Sequence, residues 1–540
     1  MRATGLIIGG ASVGGGFFGC STSSPQSTPT ARAGTSTRPK ALPTSGPKPG
    51  GTVTLLIASQ MTTLNPGLSG NGNTTQYVYD RLLNVDWVNG KYELSLAQSL
   101  ENPDPLTYIF KIKPTAKFQN VAPVNGRPVT SEDVVASWNA FVANPRTANK
   151  GVFTQYIDKY ETPDASTLVV KMKKAYAWVL GVHNLGGPAP STVVPKELTT
   201  GDALDKTAIG PGPYVLEEYD PASTIAFKRR PDGWHTPDRP YIDRVVGRVI
   251  TDTAAHAAAF KSKQIDELAA RDKLEADEFK SYGPDVVVDR ALGISPWLMM
   301  RADEQGYFKD PRVREAVYNA LDIQELIEVV ELGEGEYVGP VPAYLKTWVL
   351  PRDELKTYFP HDLKKAKDLL TGAGWDTNRE VELKHSSADK SALMCQILQR
   401  QLAAAGIRTR LVPQDPTVFR SQTYQTRDFQ LAGVRDVGGY DPDIHLRYQT
   451  TSGGGAQNLC RWSDADVDQI VTQQQTEFDL EKQKQIILDA QRLILKKFAP
   501  LVLLYAPYTY TARWSYYHPA QSSDNGFVGV FGHYSWTEKP

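Results

Sequence analysis

The chain has 540 residues, with 59 Lys and Arg against 60 Asp and Glu and a formal net charge of -1. That length exceeds what one hydrophobic core serves and predicts two or three domains, while the near-neutral balance argues against a general nucleic-acid binder. No apolar run reaches the ~18 residues of a membrane span, and Cys20, Cys395 and Cys460 form no C-x-x-C pair, which argues against a zinc ribbon or a thioredoxin-type redox site.

In chain order, Arg2 and the apolar, Gly-rich stretch 5–19 read as a signal peptide. Gly19-Cys20 resembles the end of a bacterial lipobox, so 1–20 is expected to be a signal peptide whose cysteine becomes the lipid-modified first residue. "GASVG" (10–14) matches the G-x-S-x-G nucleophile elbow, but it lies inside the leader rather than between a strand and a helix. Residues 21–50 are rich in Ser, Thr, Pro and Gly, with four basic residues (Arg32, Arg38, Lys40, Lys48), no acid and almost no large apolar side chain. Such a segment cannot bury enough surface to offset its ordering entropy. It is expected to be a flexible tether, spanning roughly 30 Å on average.

From Gly51 onward strand and helix signals alternate. The apolar run 52–58 predicts a buried strand. Residues 106–113 place Tyr108, Phe110 and Ile112 on one face and Lys111 and Lys113 on the other. Residues 167–173 repeat the pattern with Leu168, Val170 and Met172 against Lys171 and Lys173, as strands with one wet face do. Thr130 and Asp133 predict a capping box, followed by the helical stripe Val134, Trp138 and Phe141. Asp310-Pro311 opens a helix with Val313, Val317, Ala320 and Leu321 inward, and Asp322 with Glu325 opens another. Further helices are predicted over 361–375 and over 391–405, the latter stopped by Gly406. One starts at Ser463 as N-cap, and one covers 479–498 with Ile486, Ala490, Leu493 and Lys497 on one side. "ELGEGEYVGP" (331–340) reads as a surface loop. Cys395 and Cys460 have apolar neighbours and are expected to be free, buried thiols, with a disulfide as the alternative.

Catalytic signatures are scarce. None of the eight histidines precedes Glu, so there is no H-E-x-x-H, and there is no phosphate-binding G-x-x-x-x-G-K. No cofactor and no metal are expected. "SDADVD" (463–468) lacks the glycine turn and distal Glu of a calcium loop and reads as a helix start. "RDVGGYDPDIHLRY" (435–448) crowds Asp436, Asp441, Asp443 and His445 together. Three readings are open: a loop shaped by Asp-Pro and Gly-Gly, a metal site, or a loop whose carboxylate meets a ligand cation.

Several segments keep a common order: "MTTLNPG" (61–67), "YVYDRLL" (77–83), "GRPVTSEDVVASWN" (126–139), "AIGPGPYVLEEY" (208–219), "FKDPRVREAVYNALDIQELI" (308–327), "KKAKDLLTGAGW" (364–375) and "YDPDIHL" (440–446). Over about residues 50–510 the body resembles the family 5 extracellular solute-binding proteins, the peptide/nickel/opine-type receptors of ABC importers. The resemblance implies an α/β, two-lobed class II periplasmic-binding-protein fold with an extra subdomain in the first lobe. Lobe I would comprise 51–87, 205–297 and 505–540, the extra subdomain 88–204 and lobe II 298–504.

The resemblance also implies the function. The protein would be a monomeric, non-enzymatic receptor outside the cytoplasm, periplasmic or anchored through Cys20 to the cell membrane. It would close on a small solute and deliver it to the permease subunits of an ABC transporter, with no nucleic acid as partner. A short peptide is the leading solute and an oligosaccharide the alternative, and no His cluster favours nickel. A secreted hydrolase and a structural surface lipoprotein are the readings from other classes. The implied ligand-binding residues are Gln60, Met61 and Thr62 through their backbones, and Gly433, Arg435, Asp436, Tyr440 and Asp441. Asp436 would take a peptide's α-ammonium. Val434 stands where relatives carry Trp.

Overall fold

The computed structural model describes residues 47–68, 77–86, 91–147, 150–181, 184–187, 191–236, 238–435, 439, 441–451, 458–520 and 535–539. The alternation at 106–113 and 167–173 becomes two antiparallel strands, Thr107–Ile112 and Thr167–Met172, with Tyr108, Phe110, Ile112, Leu168, Val170 and Met172 buried. Ala97–Asp104 and Ile157–Asp164 flank them in a four-stranded sheet. Helix Ser131–Ala143 joins its core through Val134, Trp138 and Phe141, with Trp138 edge-on to Tyr160 at 5.5 Å. Thr130 and Asp133 form the expected reciprocal capping box, and Arg127 pairs with Asp133 at 2.7 Å.

The run at 52–58 is a strand, Thr52–Ile57, but only Val53 is fully buried. Within its own sheet it is an edge, pairing in parallel with Arg244–Val249, beyond which lie Thr224–Arg229 and Tyr214–Asp220. Its other side is met by Asp266. The Thr54 N–H donates to Asp266 Oδ2 at 2.6 Å, and the Asp266 N–H donates to the Thr54 carbonyl at 2.7 Å. This joins it to a four-stranded antiparallel sheet, Glu267–Ala270, Ala506–Trp514 and Val286–Leu292, with the short Gly335–Glu336 also paired to Ala506–Trp514.

A five-stranded sheet forms the second large body, in the order Arg408–Gln414, Glu380–Ser386, Leu431–Val434, Trp297–Met300, Leu501–Leu503. All four residues of Trp297–Met300 are buried, because helices cover both faces. Leu298 and Met300 enter one core with helices Pro311–Ala320, Ile323–Val330 and Asp389–Ala405. Trp297 and Met299 enter another with helices Ala465–Thr476 and Leu480–Lys496. The chain crosses between this sheet and the preceding one twice, through 293–296 and 504–505. The crossings are tied together, Gly293 N–H to Pro507 carbonyl at 2.7 Å and Leu504 N–H to Pro296 carbonyl at 2.9 Å.

Three sequence expectations need correction. The N-cap of helix Ala465–Thr476 is Asp464, which accepts from the N–H groups of Asp466 and Val467; Ser463 lies one residue too early. Helix Leu480–Lys496 buries Gln483, Ile487, Ala490, Gln491, Ile494 and Leu495 rather than the face of Ile486 and Leu493. Within 331–340, Gly335–Glu336 is not loop but a short strand that pairs with Ala506 and Pro507 at the crossing. Cys395 and Cys460 are free and buried, and burial pushes both thiols up, Cys460 to about 12.

Candidate functional site

Strand Leu431–Val434 is buried along its length at the centre of the five-stranded sheet. At Gly433 a Cβ would lie 2.3 Å from Cys395 Sγ and 3.2 Å from Met394 Cε. The glycine is what lets helix Asp389–Ala405 lie against the strand. Its role is close packing.

Arg435 leaves the end of this strand into a charged cluster. Its Nη1 donates to the Tyr505 hydroxyl at 2.7 Å, and its Nη2 pairs with Glu331 Oε1 at 2.8 Å. The Glu331 carboxylate, with a side chain 3% exposed, also accepts from Tyr505 at 3.1 Å and pairs through Oε2 with Lys390 at 2.8 Å. Glu331 caps helix Ile323–Val330, Lys390 starts helix Asp389–Ala405, and Tyr505 sits in a crossing. One buried carboxylate thus holds two cations, so the cluster carries a net positive charge, and burial would be costly for it without this pairing.

Asp436 and Tyr440 lie outside the described residues. Between them, the Tyr344 hydroxyl donates to the Gly439 carbonyl at 2.6 Å, and His445 Nε2 is 3.1 Å from the same oxygen. Asp441 is the N-cap of helix Pro442–Arg447 and accepts the Ile444 N–H at 2.9 Å, with proline at the first helical position. Burial, then the neighbouring Asp443 charge, raises the Asp441 carboxyl to about 6, against the pull of the Ile444 N–H. Asp443 is fully buried. It accepts from the Tyr176 hydroxyl at 2.7 Å, from Gln474 Nε2 at 2.5 Å and from Gln475 Nε2 at 2.8 Å. Arg447 Nε lies 2.9 Å from its Oδ2, an ion pair by distance without the alignment of a hydrogen bond. The two carboxylates therefore serve a helix start and a hydrogen-bond hub. Among the described residues no group of His, Cys, Asp and Glu side chains is placed to hold a metal ion.

Gln60, Met61 and Thr62 follow strand Thr52–Ile57. The side chains of Gln60 and Thr62 are exposed and Met61 is buried. The Met61 backbone is already engaged, its N–H with the Pro221 carbonyl at 3.3 Å and its carbonyl with the Tyr219 hydroxyl at 2.7 Å. No hydrogen bond or ion pair among the described residues joins Gln60–Thr62 to the 431–441 segment.

Contacts that the sequence reading missed do bridge the two bodies. Besides Tyr176 on Asp443, the Ala177 N–H donates to the Gln475 carbonyl at 2.7 Å, and Trp178 Nε1 donates to Gln474 Oε1 at 2.7 Å. Trp178 also packs edge-on against Trp348 at 5.3 Å. The sequence signal was the aromatic stretch "AYAWV" (175–179) facing the glutamine run 473–475. Neither is a motif, and only pairing gives them meaning. The same holds for Glu331, Lys390 and Tyr505, which lie far apart in the chain.

The sequence profile of the bacterial extracellular solute-binding proteins, family 5 Middle, matches residues 91–458. The chain is 29% identical over 301 residues to the oligopeptide-binding protein AppA of Bacillus subtilis, covering 53% of this chain and 52% of that relative, about half its length. It is 24% identical over 461 residues to heme-binding protein A of Haemophilus influenzae, covering 79% of this chain and 82% of that one. Among solved structures, the periplasmic binding protein DppA of Helicobacter pylori in complex with the peptide STSA superposes with a TM-score of 0.74. It is 22% identical and covers 91% of this chain and 99% of that one. That likeness establishes the fold, an α/β class II periplasmic-binding-protein architecture. The profile spans well over half of the residues, and the chain belongs to the bacterial extracellular solute-binding proteins of family 5.

Proposed function

We propose that this protein is the extracytoplasmic receptor of an ABC importer, and that it closes its two bodies on a short peptide and presents it to a membrane permease. The observation that carries this reading is the pair of short crossings at 293–296 and 504–505, with a second, polar set of bridging contacts built on Asp443. A small solute held between two bodies is largely removed from water. Its contacts to both favour the closed arrangement by the difference in its affinity for the two states.

Peptide as the solute is supported by AppA, named an oligopeptide-binding protein, and by the DppA neighbour solved with STSA. In this reading Asp436 takes the α-ammonium, the backbones of Gln60 and Thr62, on either side of the already engaged Met61, pair with the peptide chain, and the net positive Arg435–Glu331–Lys390 cluster offsets the charge at the other end. In this reading Cys20, which lies outside the described residues, carries the lipid. No helix among the described residues is long and apolar enough to cross a membrane.

Calorimetric titration with di- to pentapeptides and with cello- and xylo-oligomers tests the solute. Peptide binding is expected, and Asp436→Ala should weaken it by about 1.5–3 kcal/mol, the worth of a charge-assisted hydrogen bond. Tight binding of a sugar and of no peptide would sink the peptide reading. Mass spectrometry of the mature protein tests the anchor: residue one should be Cys20, acylated.

A further inference from the structure

We infer an anion site at the end of the five-stranded sheet away from the crossings, one that takes a phosphate group. A cavity of about 780 Å³ opens between the turn 302–309, the start of helix Pro311–Ala320 and the segments 461–464 and 496–498. Its size falls within the roughly 300–1,000 Å³ of small-molecule sites. In the sheet, Trp297 pairs with Val434 and Met300 with Leu431. The crossings at 293–296 and 504–505 adjoin the Trp297 end of these strands. The cavity lies past the Met300 end, where the Ala302 N–H donates to the Cys460 carbonyl at 2.9 Å. Its wall comes from the second body alone.

Arg314 lines the cavity although it is only 4% exposed. Its Nε donates to the Phe498 carbonyl at 2.7 Å, and its Nη1 donates to the carbonyls of Phe308 at 3.0 Å and Lys309 at 2.6 Å. The Trp462 ring centre is 5.7 Å from its Cζ. These contacts fix the guanidinium and cancel none of its charge. Burial pushes its pKa down, against the longer-range pull of Tyr318, Asp310 and Asp464. Among the described residues Arg314 forms no ion pair, and its Nη2 makes no hydrogen bond. A buried cation without an acid is costly, and two unclaimed N–H groups on one fixed nitrogen are what an oxyanion accepts from.

The acids on the wall already hold cations: Asp303 pairs with Arg301, Glu304 with Lys309, Glu315 with Lys365 and Asp464 with Lys497. Of the other lining cations, Arg312 pairs with Asp310 and Arg461 shares Asp303. Lys496 is exposed and makes no hydrogen bond or ion pair among the described residues; it acts at longer range on Glu354, which is itself paired with Arg492. Arg314 and Lys496 thus leave two positive charges on the wall without an ion-pair partner. A phosphate monoester or free phosphate carries about that much negative charge at neutral pH.

The test is calorimetric titration of the whole chain, in a phosphate-free neutral buffer, with inorganic phosphate and with glycerophosphoglycerol, a soluble lipid head group whose phosphodiester is a monoanion. It is run on the wild type, on Lys496→Glu and on Lys482→Glu. The last makes the same charge change on the same helix, about 21 Å away along its axis. Arg314 is left intact, because its carbonyl bonds hold its helix to the 498 turn. Its part is read from a crystal of the whole chain soaked in arsenate, a phosphate stand-in with an anomalous signal. Phosphate should bind at millimolar concentration or below, Lys496→Glu should lower its affinity at least tenfold, and Lys482→Glu should leave it unchanged. An arsenate oxygen should lie within hydrogen-bond distance of Arg314 Nη2. Phosphate binding at least tenfold tighter than the diester gives the free ion or a monoester as the source, and equal binding gives a lipid head group. No binding at millimolar concentration, an equal effect of the two lysine changes, or arsenate seated away from Arg314 would overturn the assignment. No peptide enters the assay, so its outcome is separate from that of the importer reading.

Discussion

A side chain at Gly433 has nowhere to go, since the Cβ position is 2.3 Å from a buried sulfur. Gly433→Ala should therefore lower stability by about 1–3 kcal/mol, the usual cost of overpacking a core. Chemical denaturation measures it, and adding Cys395→Ala should recover part of the loss; no recovery would place the strain elsewhere. Asp441 makes a pH-dependent prediction. Its folded value of about 6 lies above the ordinary 3.8, so the fold binds its proton more tightly than the unfolded chain does. Stability from this group is present below about pH 4 and lost as pH rises toward 6. Asn caps a helix as well as Asp and carries no charge. Asp441→Asn should therefore be more stable than the wild type at pH 7, by about 3 kcal/mol, with the gap closing below pH 4. A gap that stays constant from pH 4 to 7 would refute the burial argument. The crowding of Asp436, Asp441, Asp443 and His445 was visible in the sequence. Which carboxylate caps a helix and which gathers donors was not, because that depends on Tyr176, Gln474 and Gln475 arriving from elsewhere in the chain.

Among the elements, caps and strand alternation were the most legible features, since both are local. Thr130, Asp310 and Asp322 cap the helices their positions suggest; Asp362, which caps helix Leu363–Gly372, was not singled out. The N-cap at 463–464 was ambiguous, because two adjacent residues can both accept. Asp464→Ala should cost about 1 kcal/mol in thermal unfolding and Ser463→Ala under about 0.5 kcal/mol; the reverse order would return the cap to Ser463. Helix Leu480–Lys496 shows where periodicity stops deciding. Ile486-Ile487-Leu488 and Leu493-Ile494-Leu495 allow two apolar faces one residue apart. Buried glutamines break the tie: Gln483 Nε2 donates to the Gln474 carbonyl at 3.0 Å and Gln491 Nε2 to the Trp348 carbonyl at 2.7 Å. Polar residues on the inner face are invisible to a hydrophobic pattern.

For the whole molecule, the Asp443 hub is the contact most open to test. Tyr176→Phe keeps the ring and removes one hydrogen bond to a buried carboxylate, a loss of about 1.5–3 kcal/mol. If the contact holds the two bodies together, the ligand-free variant should have a larger radius of gyration in small-angle scattering and weaker solute affinity. Unchanged scattering would make the bridge a passive contact. The sequence by itself determined the alternating strands, the helix caps, the α/β class and the ordered segments that mark the family, because these rest on neighbours within a few residues or on order along the chain. Tertiary structure alone decided that 52–57 is an edge hooked by Asp266, that Gly433 makes room for a sulfur, and that Glu331, Lys390, Arg435 and Tyr505 form one charged cluster. It also decided that Tyr176 and Trp178 meet Asp443 and Gln474. Those pairings join residues up to 296 positions apart, and no local propensity encodes which distant partner a buried polar group will find.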